Sequence, residues 1–464
     1  MKYRSTRGKA DELDFEGAVL AGLARDGGLY VPTSWPKFSA DDIANLAGKS
    51  YAEVAYTIIH PFVSGCISDD ELRTITREVY GDTFAHKAVA PLRQIDSNHW
   101  ILELYHGPTL AFKDFALQLL GRLFDLFTER HGNKITILGA TSGDTGSAAI
   151  EATRGREHVK IFMLHPEGKV SDVQRRQMTT VLEPNVINMA VDGNFDDCQA
   201  LVKECFNDLT FRDDVNLTAV NSINWARVMA QIVYYFTAAV SLGAPHRTIN
   251  FCVPTGNFGD VFAGYVAKNM GLSIGKLIVA TNSNDILARA LTTGRYERGT
   301  VSATISPSMD IQVSSNFERV VFDLVGCDGE RVQALMDQFA SEGYFQLTPD
   351  ELAKARATFD AACINDDETK AIMARVLKSS GQVIDPHTAV GVGAAELLLA
   401  NETDPVVTLS TAHPVKFGDA VFEATGITPE LPAHMADLFD RDEGYAAVPN
   451  DGDSLRKLIR ETIS

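Results

Sequence analysis

Ile135-Thr136-Ile137-Leu138-Gly139-Ala140-Thr141-Ser142-Gly143-Asp144-Thr145-Gly146 joins a short β-branched run to a glycine-rich turn. A helical pattern follows from Ser147. A strand that ends in such a turn and feeds a helix is the repeating unit of parallel α/β sheets. The same grammar recurs on both sides of this stretch. Short apolar runs at Val159–Leu164, Val186–Val191, Leu217–Val220, Ile249–Val253, Leu277–Ala280 and Val406–Leu409 alternate with amphipathic segments. Those segments include Val170–Val181, Asp196–Phe206 and Trp225–Val240. The alternation predicts mostly parallel sheets with helices on both faces. Roughly 300 residues of it exceed one such sheet, so two α/β lobes are expected.

The flanks read differently. The first hundred residues are mainly helical in pattern: Ser39–Asp42 and Ser68–Glu71 fit capping boxes, Ala52–Phe62 is apolar enough for a further helix, and Gly48 and Gly81 sit at helix ends. From Phe317 to Gln382 the chain is charged, helical in period and strand-poor, as in Asp350–Ala361 and Asp366–Lys378. The expected division is a helical N-terminal unit over 1–95, α/β lobes over 96–316 and 383–464, and a helical insertion over 317–382.

Composition bounds the partners. Of 464 residues, 45% are hydrophobic and 22% charged, and the net charge is −19. A core this large needs no staple. The acidic balance argues against nucleic acid, whose backbone asks for basic surface, but leaves room for a small anion bound by local donors. The six cysteines form no CxxC pair and read as small buried hydrophobes of a reducing compartment; the eleven histidines lack ligand spacing, so no metal is expected. The N-terminus has no apolar run of a secretory signal, and the most apolar stretch, Val228–Val240, is interrupted by Gln231. No membrane role is expected, and the compartment expected is the cytoplasm.

Ligands of open α/β sheets gather at the carboxyl ends of strands. Two glycine-rich turns lie there, Gly139–Gly146 and Gly256-Asn257-Phe258-Gly259-Asp260, each presenting N–H groups at a positive helix end to a phosphate or carboxylate. Tight turns alone would also use glycine, yet two such loops with Ser, Thr or Asn interleaved favour an anion site. Neither fits a nucleotide motif. His106-Gly107-Pro108-Thr109-Leu110-Ala111-Phe112-Lys113-Asp114-Phe115 starts a helix whose apolar face is Phe112, Phe115, Ala116, Leu119, Leu123 and Phe127. Lys113 beside that face is either a solvated lysine paired with Asp114 or an amine in an apolar setting, as a Schiff-base nucleophile requires. In Asn221-Ser222-Ile223-Asn224-Trp225-Ala226-Arg227, Ser222 or Asn224 serves as a helix cap, or Asn221, Ser222 and Arg227 are donors to an anionic substrate group. Leu409-Ser410-Thr411-Ala412-His413-Pro414-Val415-Lys416-Phe417 closes another strand, with the Thr411 hydroxyl placed to bond a heteroaromatic nitrogen.

Together with Tyr3–Gly8 and Asp26–Pro32, these segments resemble the threonine synthases of the tryptophan-synthase-β-like group, fold-type II pyridoxal-phosphate enzymes, over most of the chain. The resemblance implies two lobes around pyridoxal 5'-phosphate, with Lys113 as its Schiff-base lysine and Gly256, Asn257, Phe258, Gly259 and Asp260 cradling its phosphate. Thr411 would face the pyridine nitrogen, and a hydroxyl there does not force that nitrogen to be protonated. Thr141, Ser142, Gly143, Asp144 and Thr145 would bind the substrate carboxylate, and Asn221, Ser222 and Arg227, with Asn257 beside them, the substrate phosphate. Many relatives in the wider group carry Asn in place of Asp144, which leaves the role of that residue open. The implied reaction turns O-phospho-L-homoserine and water into L-threonine and phosphate, in a monomer whose lobes close on the substrate. A dehydratase or phospho-lyase of the same group, releasing 2-oxobutyrate, is the nearest rival, and a catalytically silent phosphate-ester binder a further one.

Overall fold

The seven strands expected from apolar runs all form, and they divide between two sheets. A computed structural model of the chain describes residues 1–141 and 143–463. The smaller sheet has the order Ala446–Val448, Val186–Val191, Val159–Pro166, Ile135–Ala140, Leu217–Thr218, with every neighbouring pair parallel. The larger has the order Phe359–Cys363, Ile274–Thr281, Ile249–Pro254, Val406–Ser410, His99–Glu103, Leu92–Asp96, parallel except for the last pair.

Period-two alternation explains why both faces of each sheet are covered. On the strand Ile249–Pro254, Phe251 and Val253 enter the main core with the helices Lys113–His131, Trp225–Ser241 and Gly259–Met270. Cys252, between them, points the other way, into a second core with Ile372, Met373, Val390 and Val392. The smaller sheet behaves alike: Ile137, Ile161 and Met163 join the main core, while Leu138, Phe162 and Leu164 pack against Cys198, Leu201, Cys205 and Leu455. This is an α/β fold of two doubly wound, mostly parallel sheets.

The N-terminal segment folds against this body. Ser39, Ser50 and Ser68 each close a capping box at a helix start, at Ala40–Ala44, Tyr51–Val63 and Asp69–Arg77. Gly81 does not stop a helix but lies inside a short π-helical turn, Glu78–Asp82. Tyr3, on a strand paired with Tyr30–Pro32, donates from its hydroxyl to the Phe62 carbonyl at 2.8 Å and ties the strand to the helices.

Three strands of the larger sheet lie outside the expected set. Leu92–Asp96 and His99–Glu103 form a hairpin on one edge of the larger sheet, and Phe359–Cys363 forms the other edge. The latter falls within 317–382, where the helix expected to reach Ala361 ends at Thr358. All six cysteines are free; Cys198, Cys205 and Cys252 are buried, but Cys363 is exposed and Cys66 and Cys327 are half-buried, so the buried reading holds for three of them. Among the described residues no cluster of His, Cys, Asp or Glu suits a metal ion, and no helix is long and apolar enough to cross a membrane.

Candidate active site

The carboxyl ends of the two sheets meet at Lys113. A short antiparallel contact puts it there: Phe112 donates its N–H to the Thr411 carbonyl at 2.9 Å, and His413 donates to the Leu110 carbonyl at 3.0 Å. The strand Val406–Ser410 therefore delivers Thr411 beside the first turn of the Lys113–His131 helix. Two features bend the chain into that turn. Leu110 takes a left-handed φ of 61°, and a Cβ on Gly107 would come within 2.4 Å of the Asp114 carboxylate. Asp114 does not pair with Lys113. It is fully buried and accepts from the Thr109 N–H at 2.8 Å and the Thr109 hydroxyl at 2.7 Å; burial, opposed by those bonds, pushes its carboxyl up to about 6.

Lys113 donates instead to Asp144 Oδ2 at 3.2 Å. Its side chain is 12% exposed. Burial lowers the proton affinity of the amine; Asp144 opposes this, and the nearby cations Lys416 and Arg227 add to it. Asp144 opens the Asp144–Thr153 helix and is itself the hub of the site. Besides Lys113, it accepts from Lys416 at 2.9 Å, the Gln174 amide at 2.8 Å and the Ser308 hydroxyl at 3.3 Å. Burial alone would favour the neutral acid. The two ammonium groups and the Gln174 amide outweigh it and hold the carboxyl well below the usual carboxylate range. Lys416, Gln174 and Ser308 were given no role from the sequence. Only the place of Lys416 in the strand-end motif could have signalled it, since Gln174 and Ser308 are 30 and 164 residues from Asp144.

The turn that Asp144 closes is shaped by Thr141, whose hydroxyl oxygen accepts from the Gly143 N–H at 3.0 Å and the Gly146 N–H at 2.9 Å. Gly143 needs its freedom: its φ is 147°, and a Cβ would lie 2.4 Å from the Gln174 amide carbon. Thr145 is half-buried beside it. Ser142, expected in this turn, lies outside the described residues.

The second glycine turn, Gly256–Asp260, lies at the start of the Gly259–Met270 helix. Among the described residues the N–H groups of Gly256 through Asp260 find no acceptor, which leaves five donors at a positive helix end. Phe258 holds the turn in a left-handed conformation, φ 63°, with its buried ring against Phe317 and Phe359. Gly256 has no room for a side chain, because a Cβ would sit 2.7 Å from the Ser308 carbonyl. Asp260 contributes to this turn through its backbone. Its carboxylate turns inward and accepts from the Tyr234 and Tyr235 hydroxyls; burial, opposed by those bonds and by Lys113, pushes it up to about 7.

The Asn221–Arg227 segment forms the mouth. Asn224, not Ser222, is the helix cap, accepting from the Ala226 N–H at 3.1 Å. Asn221 is exposed, Ser222 half-buried and Arg227 only 4% exposed. Among the described residues the Arg227 guanidinium leaves Nε and Nη1 without a partner, and burial lowers its pKa to about 10. A further residue missed from the sequence joins the two anion-binding turns. The Asn316 amide donates to the Ser222 carbonyl at 3.1 Å and to the Asn257 carbonyl at 3.0 Å. Arg319 fixes the same node, donating to the carbonyls of Tyr30 at 2.8 Å and Ile223 at 2.6 Å.

A buried amine of lowered proton affinity, a turn of five free N–H groups, a strand-end hydroxyl and an arginine with two nitrogens unsatisfied among the described residues suit an aldehyde cofactor that carries its own phosphate. They define a pyridoxal-phosphate enzyme, and residues 77–412 match the family model described as pyridoxal-phosphate dependent enzyme. Residues 2–80 match threonine synthase N terminus, and 388–459 match threonine synthase, C-terminal. A threonine synthase of Pseudomonas aeruginosa is 55% identical over 452 residues, spanning 97% of this chain and 96% of that protein. The crystal structure of a PLP-bound threonine synthase from Brucella melitensis superposes with a TM-score of 0.98 at 53% identity, covering 100% of this chain and 99% of that one. Threonine synthase from yeast gives 0.95 at 39%, covering 100% and 98%. The chain belongs to the threonine synthase family, and its cofactor is pyridoxal 5'-phosphate.

Proposed function

We propose that this chain makes L-threonine and phosphate from O-phospho-L-homoserine and water, the last step of threonine biosynthesis, with Lys113 as its central catalytic residue. The observation that carries the reading is a buried amine of lowered proton affinity at Lys113 near a buried Arg227 guanidinium whose Nε and Nη1 have no partner among the described residues. The first suits Schiff-base chemistry and the second a phosphoester. The bound cofactor supplies the electron sink that lets carbon–hydrogen bonds next to the amine ionise.

The chain's own groups do the rest. The free N–H groups of Gly256–Asp260 hold the cofactor phosphate, and Thr411 faces the ring nitrogen. The substrate carboxylate lies at the Thr141–Thr145 turn, on the N–H groups at the start of the Asp144–Thr153 helix. Asn221, Ser222 and Arg227, with Asn257, grip the substrate phosphate and stabilise it as it leaves Cγ. Lys113 Nζ, displaced by the substrate amine, takes the proton from Cα. Asp144 stays ionised throughout and orients Nζ. After a Cβ proton and the phosphate have left, water adds at Cβ.

A monomer acting in the cytoplasm belongs to the same proposal. The parts 1–95, 96–316, 317–382 and 383–464 are proposed as its working division, with the 359–363 strand belonging to the larger sheet.

The test is the absorbance spectrum of the purified protein and of Lys113→Ala, with product analysis beside it. The reading requires a visible band that the variant lacks and threonine as product. Release of 2-oxobutyrate would identify a phospho-lyase, and no band after adding the cofactor would leave a phosphate-ester binder.

A further inference from the structure

Lys113 and Lys416 share one carboxylate but on unequal terms. Lys416 Nζ is 0% exposed and has three acceptors: Asp144 Oδ1 at 2.9 Å, the Thr109 carbonyl at 2.6 Å and Gln177 Oε1 at 2.9 Å. Three acceptors match the three protons of an ammonium group. The Lys113 side chain is 12% exposed, and among the described residues its Nζ has a single hydrogen-bond acceptor, Asp144 Oδ2 at the longer distance of 3.2 Å, with the Phe112 ring centroid 5.0 Å away. Two cations and one anion in a buried cluster leave a surplus positive charge, which burial penalises. The surplus is relieved by losing one proton, and the amine with fewer acceptors and the longer contact is the one to lose it.

We propose that Lys416 is a positioning residue for the threonine synthase reaction: from its three-acceptor seat it takes up the charge of Asp144, and so frees Lys113 to act as a neutral amine. This rests on the reading of Lys113 as the cofactor lysine. Without Lys416, Asp144 and Lys113 would form a simple buried ion pair, which holds an amine protonated. An ammonium has no lone pair for the cofactor aldehyde. The neutral amine forms the C=N bond while both its hydrogens leave with the carbonyl oxygen as water. Lys416 also spans the site, since Thr109 lies in the loop before Lys113, Gln177 lies on the Asp172–Thr179 helix, and Asp144 opens the preceding helix, Asp144–Thr153.

The other charged groups that face Lys113 are Arg227, which favours the neutral amine, and Asp260, itself partly neutral near pH 7. Those that face Lys416 besides Asp144 and Lys113 are Asp114 and His413, the latter pushed down to about 4, chiefly by burial. None of them offers Asp144 a second cation in hydrogen-bond contact.

The experiment follows the rate at which the visible Schiff-base band returns when pyridoxal phosphate is added back to the full-length protein, as a function of pH. Lys416→Met is expected to move the midpoint upward by at least about one unit, so that loading near neutral pH slows roughly tenfold. Lys416→Arg, which keeps the cation, is expected to restore most of the original midpoint. Asp144→Asn is expected to move it downward, since two cations then face each other without their anion. A Lys416→Met protein that loads with an unshifted profile overturns the proposal, whatever its yield, because a merely structural role lowers the amplitude without moving the midpoint. If Lys416→Met does not fold, an unshifted or raised midpoint in Asp144→Asn overturns it instead. Failure of Lys113→Ala to abolish the band would instead sink the reading of the site itself.

Discussion

Arg227 is buried with two guanidinium nitrogens unpartnered among the described residues, an arrangement that lowers stability until an anion arrives. Arg227→Met keeps the packing and removes the charge. The variant is expected to gain about 1–3 kcal/mol in denaturant unfolding without phosphate, while KM for the phosphorylated substrate rises roughly 100-fold or more. Millimolar inorganic phosphate should stabilise the parent by mass action and leave the variant unmoved. A variant that unfolds earlier than the parent would show that Arg227 is structural. At this scale the sequence pointed to residues in short motifs at the start of helices or the end of strands: Lys113 lies beside Asp144, Arg227 and the Thr411 segment. Lys416, Gln174, Ser308 and Asn316 went unassigned because their work is contact across the fold. A glutamine 30 residues from its acceptor leaves no local pattern.

Elements rather than single residues set the distance between the two anion-binding turns. Asn316 stands immediately before the Phe317–Leu324 helix, and its amide links the carbonyls of Ser222 and Asn257. Phe258 and Phe317 stack edge to face, 5.2 Å apart, directly behind it. Asn316→Ala leaves the Ser222 carbonyl without its donor and Arg319 without the Asn316 oxygen that accepts from it. The loss is expected at about 2–4 kcal/mol in unfolding free energy. Both turns lose the side-chain link between them, although the Asn257 carbonyl keeps the Asn316 N–H at 3.0 Å, so faster release of the cofactor on dialysis and a raised KM should appear together. If KM alone rises, the node supports only the Asn221–Arg227 turn. The elements themselves were legible where periodicity ran long, as in Trp225–Ser241. The Phe359–Cys363 strand was hidden because Phe359-Asp360-Ala361-Ala362 continues a helix-forming run, and only pairing with Ile274–Thr281 makes it a strand. The Leu92–Asp96 strand was hidden for a different reason: most of its side chains are exposed or half-buried, so no apolar run marks it.

For the whole molecule, the pH dependence of stability turns on carboxyls shifted in opposite directions. Asp26, Glu71, Glu103 and Asp144 are held below their ordinary values, so the stability they contribute is present above those values and lost in acid. Asp260 and Asp114 act with the other sign. Raised to about 7 and about 6, they contribute stability that is fully present below the ordinary carboxyl value and is lost as pH climbs through those points. The net charge of −19 adds self-repulsion on the same, alkaline side. The cofactor-free protein is therefore expected to be most stable on the acid side of neutrality. Asp260→Asn isolates the main contribution, since an amide oxygen still accepts from Tyr234 but cannot ionise. Below about pH 4 its advantage over the parent should be constant. Between about pH 4 and 7 that advantage should grow at up to about 1.4 kcal/mol per unit, then level off. The cofactor phosphate, proposed to lie on the free N–H groups of the same helix end, would disfavour a charged Asp260 further. Its binding should thus draw in a proton near neutral pH, weakening as pH rises in the parent and less so in Asp260→Asn. Calorimetric titration in buffers of different ionisation enthalpy reads that proton directly, and equal uptake in the two proteins would mean that Asp260 is not its source.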